Sequence, residues 1–131
     1  MKVVLDTNVL LSALATRGLC EAVLEVCLAN HEIVLSEYIF KELRRNLKSR
    51  LRLPAAQVDE IIVFFREKAT MVNPAKVSAD ACRDQTDLAV LGTASVADAD
   101  CLVTGDDDLL ELKRFAGVAI LSPREFHDRL R

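Results

Sequence analysis

The strongest constraint on the fold is a set of very short apolar runs, Val3–Leu5, Ile33–Leu35, Cys101–Val103 and Val118–Leu121, set apart by helix-patterned sequence. A strand with one wet face alternates polar and apolar residues, whereas an uninterrupted apolar run of this length is a strand covered on both faces. Thr70–Val72 is a fifth run, ended by Asn73-Pro74. The stretches between them read as helices. Val9–Leu14 continues apolar until Ala15-Thr16-Arg17-Gly18 breaks it, and Leu19, Ala22, Val23, Val26 and Cys27 mark an amphipathic helix over 19–29. Ser36 is placed to cap a helix with the stripe Ile39, Phe40, Leu43 and Leu47. Pro54 sits at the first turn of another, with Val58, Ile61, Ile62 and Phe65 on one face. Residues 75–86 are polar and loop-like, Asp84-Gln85-Thr86-Asp87 leads a helix from Leu88 to Val96, and a short helix runs from Asp106 to Leu112. Ser122-Pro123-Arg124-Glu125 is a capping-box start for a last helix. Alternating short strands and helices predict an α/β three-layer domain with a parallel sheet of about five strands. Periodicity does not give the strand order.

At 131 residues, with four Gly and three Pro, the chain has no room for linkers and reads as a single domain over 1–131. Met1 runs straight into Lys2-Val3-Val4-Leu5 without a leader, and no apolar run approaches the ~20 residues that span a bilayer, so the expected location is cytoplasmic, with no membrane contact. Cys20, Cys27, Cys82 and Cys101 show no C-x-x-C spacing and no nearby histidine; they are expected to be reduced packing residues, with zinc binding the alternative. His31 and His127 stand alone and read as surface or turn residues. A net charge of −3 does not describe a general polyanion binder, but charge is unevenly spread. Lys41, Arg44, Arg45, Lys48, Arg50 and Arg52 crowd one segment against Glu42 alone, and eight Asp fall between Asp80 and Asp108.

In open α/β sheets, ligands bind beyond the carboxyl ends of the strands. Asp6 ends the first strand and Asp106 lies just past the fourth, so both are expected at one sheet edge. Glu42 lies on the helix after the second strand, and Asp87 near the start of the helix that enters the fourth. Convergence of four carboxylates requires protonation or a bound divalent cation, and an oxygen-only donor set suits Mg²⁺ or Mn²⁺. Such a centre serves phosphodiester hydrolysis. Each acid also has a plainer role. Asp84 and Asp106 are good N-caps, Asp87 gains from a helix dipole, Asp107 and Asp108 read as solvated or first-turn acids, and Glu42 as a helix-surface acid. Asp6 is hardest to explain this way, because Thr7 or Asn8 can cap the helix that follows it. Other phosphate chemistries lack their signatures: there is no G-x-x-x-x-G-K-[ST] loop and no G-x-G-x-x-G. Asn8 stands where an aspartyl phosphatase needs a second Asp, and no lysine follows the last strand as a receiver domain requires.

The stretches VVLDTNVLLSAL, SEYIFKELRRNL, RDQTDLAVLGTA and CLVTGDDDLLEL, with the tail VAILSPREF, occur in that order along nearly the whole chain. In this the sequence resembles the PIN-domain ribonucleases, especially the small VapC-like prokaryotic branch that supplies toxins of toxin–antitoxin pairs. The resemblance implies a parallel sheet and Mg²⁺- or Mn²⁺-dependent hydrolysis of RNA, leaving 5′-phosphate and 3′-hydroxyl ends, with metal rather than a protein nucleophile carrying the chemistry. It assigns the metal-binding, catalytic acids to Asp6, Glu42, Asp87 and Asp106, with Asn8 and Thr104 lining the site. Asp84 competes with Asp87 for the third position; the seven-residue spacing from Asp87 to Ala94 favours Asp87. Gln85, Leu88 and Asp107 depart from residues common in this branch. Arg44, Arg45 and Lys48 are candidates to guide the RNA backbone, a solvated helix face and antitoxin contact being the other readings. The resemblance further implies a homodimer held inactive by a cognate antitoxin. The alternative functions are a nuclease acting on DNA and a PIN-like nucleic-acid-binding module without catalysis.

Overall fold

The computed structural model describes residues 1–129. Strand β1 (Lys2–Leu5) leads into helices α1 (Thr7–Ala15) and α2 (Leu19–Asn30), and β2 (Glu32–Leu35) into α3 (Glu37–Ser49) and α4 (Ala55–Lys68). After β3 (Thr70–Met71), residues without regular structure lead to a 3₁₀ turn at Gln85–Asp87 and to α5 (Leu88–Val96). Strand β4 (Cys101–Val103), α6 (Asp107–Leu110), β5 (Arg114–Phe115), β6 (Val118–Leu121) and α7 (Pro123–Arg129) complete the chain. The sheet has the order β3-β2-β1-β4-β6-β5, and every pairing except β5 with β6 is parallel. Strand order reverses between β1 and β4: the chain leaves β1 for one side of the sheet and returns on the other. That switch point opens a crevice beyond the carboxyl ends of the two strands.

The apolar runs are strands for the reason the sequence suggested. Val3 to Leu5, Ile33 to Leu35, Cys101 to Val103 and Val118 to Leu121 are all buried, so neither sheet face is wet. Burial of a side chain such as Leu5, Leu35 or Leu102, each fully enclosed, contributes about 1.5–3 kcal/mol relative to exposure. Helix α3 turns Ile39, Phe40, Leu43 and Leu47 into the same core. Its cap is Ser36, whose Oγ accepts from the Ile39 amide and, at 2.9 Å, from Thr93 Oγ1 of α5. The expected capping box closes α7, with Glu125 N donating to Ser122 Oγ and Ser122 N to Glu125 Oε1, both at 3.1 Å. All four cysteines are free thiols, three of them buried. Among the described residues no helix is long and apolar enough to cross a membrane.

The sixth strand departs from the sequence-based expectation. Arg114–Phe115 pairs antiparallel with β6 through a two-residue loop, Ala116-Gly117, in which both residues have positive φ (51° and 82°). This is hairpin geometry of the I′ kind, normally signalled by Asn-Gly or Asp-Gly. Alanine at its first position conceals the turn, and a two-residue strand carries no periodicity. The helix expected from Asp106 to Leu112 is also shorter, Asp107–Leu110.

Candidate active site

Asp6 leaves the sheet at the end of β1, its amide still donating to the Val103 carbonyl of β4 at 3.0 Å. The residue is buried and makes a cap after all. It occupies the N-cap position of α1, with Oδ1 accepting from the Thr7 amide at 2.7 Å, so neither Thr7 nor Asn8 caps that helix. Its other oxygen, Oδ2, accepts from Thr104 Oγ1 at 2.7 Å and from Asn8 Nδ2 at 3.5 Å. Thr104 Oγ1 in turn accepts from the Asp106 amide at 3.0 Å, and Asn8 Oδ1 from the Gly105 amide at 3.1 Å. Asn8 and Thr104 therefore fasten the two strand ends to each other and fix the Asp6 carboxylate. Asp106 caps α6, accepting from the Asp108 and Leu109 amides at 2.8 and 3.3 Å.

Helix α3 supplies the opposite wall. Its apolar stripe faces the core, which leaves Tyr38, Glu42, Arg45 and Asn46, at i, i+4, i+7 and i+8, along a second stripe. Tyr38 Oη donates to the Thr86 carbonyl at 2.8 Å and ties the first turn of α3 to the turn that carries Asp87. The result is a cavity of about 260 Å³ whose wall includes Asp6, Glu42, Asp87 and Asp106 together. Asn8, Arg45 and Arg50 also line it.

Asp84 is not on that wall. Its carboxylate accepts from Thr86 N at 3.0 Å and Thr86 Oγ1 at 2.8 Å, which lowers its pKa. It does belong to a neighbouring group: one carboxylate oxygen each from Asp84, Asp87 and Asp108 lies within 4.8 Å of the others. Asp87 is thus shared between cavity and group. Asp108, read from sequence as a solvated or first-turn acid, is half-buried and also lies 3.7 Å from an Arg83 nitrogen. Of the three basic candidates, only Arg45 reaches the cavity, where it pairs with Glu42; Arg44 pairs with Asp59, and Lys48 is exposed off the wall. Neither Tyr38 nor Asn46 stood out in the sequence, and Arg50 did so only as a member of the basic segment that starts beside Glu42. For Tyr38 and Asn46 the signal was available, since both lie four residues from Glu42 on the same helix.

Two of these acids, Asp87 and Asp6, have raised pKa values. Burial, reinforced by Asp106, Asp84, Asp6 and Asp108, pushes the Asp87 carboxyl up to about 7. Burial also raises Asp6, opposed by the hydrogen bonds from Thr104 and Thr7 and aided by Asp106 and Glu42. An acid with a raised folded pKa keeps a proton that the unfolded chain has already released. Its contribution to stability is therefore greatest below the ordinary value of 3.8 and is lost as pH rises towards about 7. In EDTA, the Tm difference between Asp87→Asn and the wild type is expected to grow in favour of the variant from pH 5 to pH 8. Thermal melts across that range check this; a difference that does not change with pH would contradict a protonated Asp87.

A sequence model described as PIN domain matches residues 2–108. No curated protein matches the chain. Two of the solved structures that share the fold are complexes named VapBC. VapBC2 from Rickettsia felis, bound to a DNA fragment from their promoter, aligns with a TM-score of 0.65 at 20% identity, covering 93% of this chain and 98% of that one. VapBC-1 from nontypeable Haemophilus influenzae gives a TM-score of 0.64 at 18% identity, covering 95% of this chain and 99% of that one. Family match and shared architecture agree with the position of the cavity at the β1/β4 switch point: the chain belongs to the PIN domain family.

Proposed function

We propose that the protein is a metal-dependent endoribonuclease, the toxin of a toxin–antitoxin pair. The observation that carries this reading is the meeting of Asp6, Glu42, Asp87 and Asp106 on one cavity wall at the switch point of the sheet. The donor set fits a hard divalent cation. All four are carboxylates, and the burial and neighbouring acids that push Asp87 up to about 7 disfavour a bare negative charge that a bound cation would compensate. Asp6, Glu42, Asp87 and Asp106 would hold Mg²⁺ or Mn²⁺, which supplies activation of water and stabilisation of charge on the phosphodiester. Thr104 and Asn8 orient Asp6, while Tyr38 holds the Asp87 turn against α3. Arg45 and Arg50 offer the RNA backbone positive charge at the cavity edge. Arg44 and Lys48, off that wall, serve only as outer guides on the same helix.

The toxin assignment rests on the resemblance to the VapC-like branch together with the shared fold of VapBC2 and VapBC-1. A cognate antitoxin and a homodimer are the proposed partners. The test is incubation of the purified protein with labelled single-stranded RNA and DNA in Mg²⁺, Mn²⁺ or EDTA. RNA is expected to be cut with either metal, to be spared in EDTA, and to leave 5′-phosphate ends. Preferential cleavage of DNA would replace the substrate assignment, and binding without cleavage of either would replace the enzyme with a binding module.

A further inference from the structure

The acidic wall contains its own cation. Arg45 follows Glu42 by three residues on α3, and its Nη2 pairs with Glu42 Oε2. The arginine side chain is 69% exposed and the glutamate 25%, so the guanidinium reaches in from solvent over a sheltered carboxylate. Among the described residues this is the one ion pair made by a wall acid: Asp6, Asp87 and Asp106 make none. The other wall arginine, Arg50, has no ion pair among the described residues.

The guanidinium pairs with Oε2 alone, so a divalent cation that takes Oε2, or both oxygens of Glu42, displaces it from the carboxylate. The exchange costs little, because a pair with so exposed a partner is weak and its arginine regains water. Once released, Arg45 remains at the cavity edge with a planar fork of donors that suits phosphate oxygens. We infer that Arg45 is an exchangeable counter-ion: it neutralises Glu42 before the cation binds and transfers to an RNA phosphate once the cation holds Glu42. This rests on the metal-dependent reading above. Arg45 thereby couples the two binding events, since cation binding frees the group that grips the RNA.

The two affinities must then change in opposite directions when Arg45 is removed. In Arg45→Gln, the Kd for Mn²⁺, measured by calorimetry without RNA, is expected to fall about threefold, the size of a weak exposed pair. In the same variant, the KM for RNA at saturating Mn²⁺ is expected to rise about tenfold, the loss of one charge-assisted phosphate contact. Arg44→Gln removes the same charge from the same helix but from a pair with Asp59. It controls for long-range electrostatics and is expected to leave the Mn²⁺ Kd within about twofold. Unchanged or weaker Mn²⁺ binding in Arg45→Gln, or an equal gain in Arg44→Gln, overturns the exchange. Absence of Mn²⁺ binding by the wild type would instead overturn the metal-dependent function itself.

Discussion

Asp6→Asn is expected to reduce RNA cleavage on the order of 10³-fold while leaving the protein folded. The size follows from the proposed role. A cation that stabilises the developing charge contributes several kcal/mol to the transition state, and each ~1.4 kcal/mol is a factor of ten. Asn is nearly isosteric with Asp but removes the charge that anchors the cation, and it brings an amide to the place of an acceptor. Oδ1 can still accept from the Thr7 amide, so the cap on α1 survives. The other position changes sign. Thr104 Oγ1 and Asn8 Nδ2 both donate to Asp6 Oδ2, whereas an Asn amide nitrogen must itself donate. Thr104 can rotate its hydroxyl to accept, and relief of a buried carboxylate offsets the lost bonds, so stability should change by no more than about 1 kcal/mol. Activity and thermal melting of the same preparation check both halves. Equal cleavage by the variant would assign the activity to a contaminating nuclease, and an unfolded variant would make Asp6 a structural residue first.

The elements were legible because each rests on local chemistry. Three-residue apolar runs specify doubly covered strands, and Ser36 and Ser122-Pro123-Arg124-Glu125 carry their caps in the sequence. Asp6 and Asp106 could be placed at strand ends, and Asp87 at a helix start, for the same reason. Convergence is a different kind of fact. Tyr38 meets the Thr86 carbonyl across 48 positions, and Arg83 reaches Asp108 across 25, through packing that no periodicity records. Asp107 and Asp108 read alike in the sequence, as solvated or first-turn acids; only the helical turn, which exposes Asp107 and brings Asp108 close to Asp84 and Asp87, separates them. The two roles of Asp6 show the limit most clearly. The sequence leaves the cap of α1 to Thr7 or Asn8, yet Asp6 Oδ1 makes it while Oδ2 accepts from Thr104 and Asn8.

Gly92→Ala is expected to be the most damaging of the glycine-to-alanine changes. An alanine in a helix is ordinarily worth about 1 kcal/mol over glycine. Here a Cβ would stand 2.2 Å from the Ala75 carbonyl oxygen and 3.2 Å from the Ala75 nitrogen and carbonyl carbon. These are backbone atoms, and the Ala75 amide donates to the Gly92 carbonyl at 3.1 Å, so the residue cannot retreat without breaking the bond that holds it. The segment that must move begins the irregular stretch leading to Asp84 and Asp87, and α5, on which Gly92 lies, packs against β1, β2 and α3. Overpacking of this severity outweighs the helical gain and should cost about 3 kcal/mol, a fall of roughly 10 °C in Tm. Gly105→Ala provides the comparison beside the cavity: its Cβ would meet Asn8 Oδ1 at 3.7 Å, an ordinary contact, and its melt should match the wild type within about 2 °C. If Gly92→Ala melts with the wild type, the close approach of α5 to the 73–84 segment is wrong. The site would then lack the support that keeps Asp87 on the wall, because the Tyr38 hydrogen bond would hold the turn from one side only.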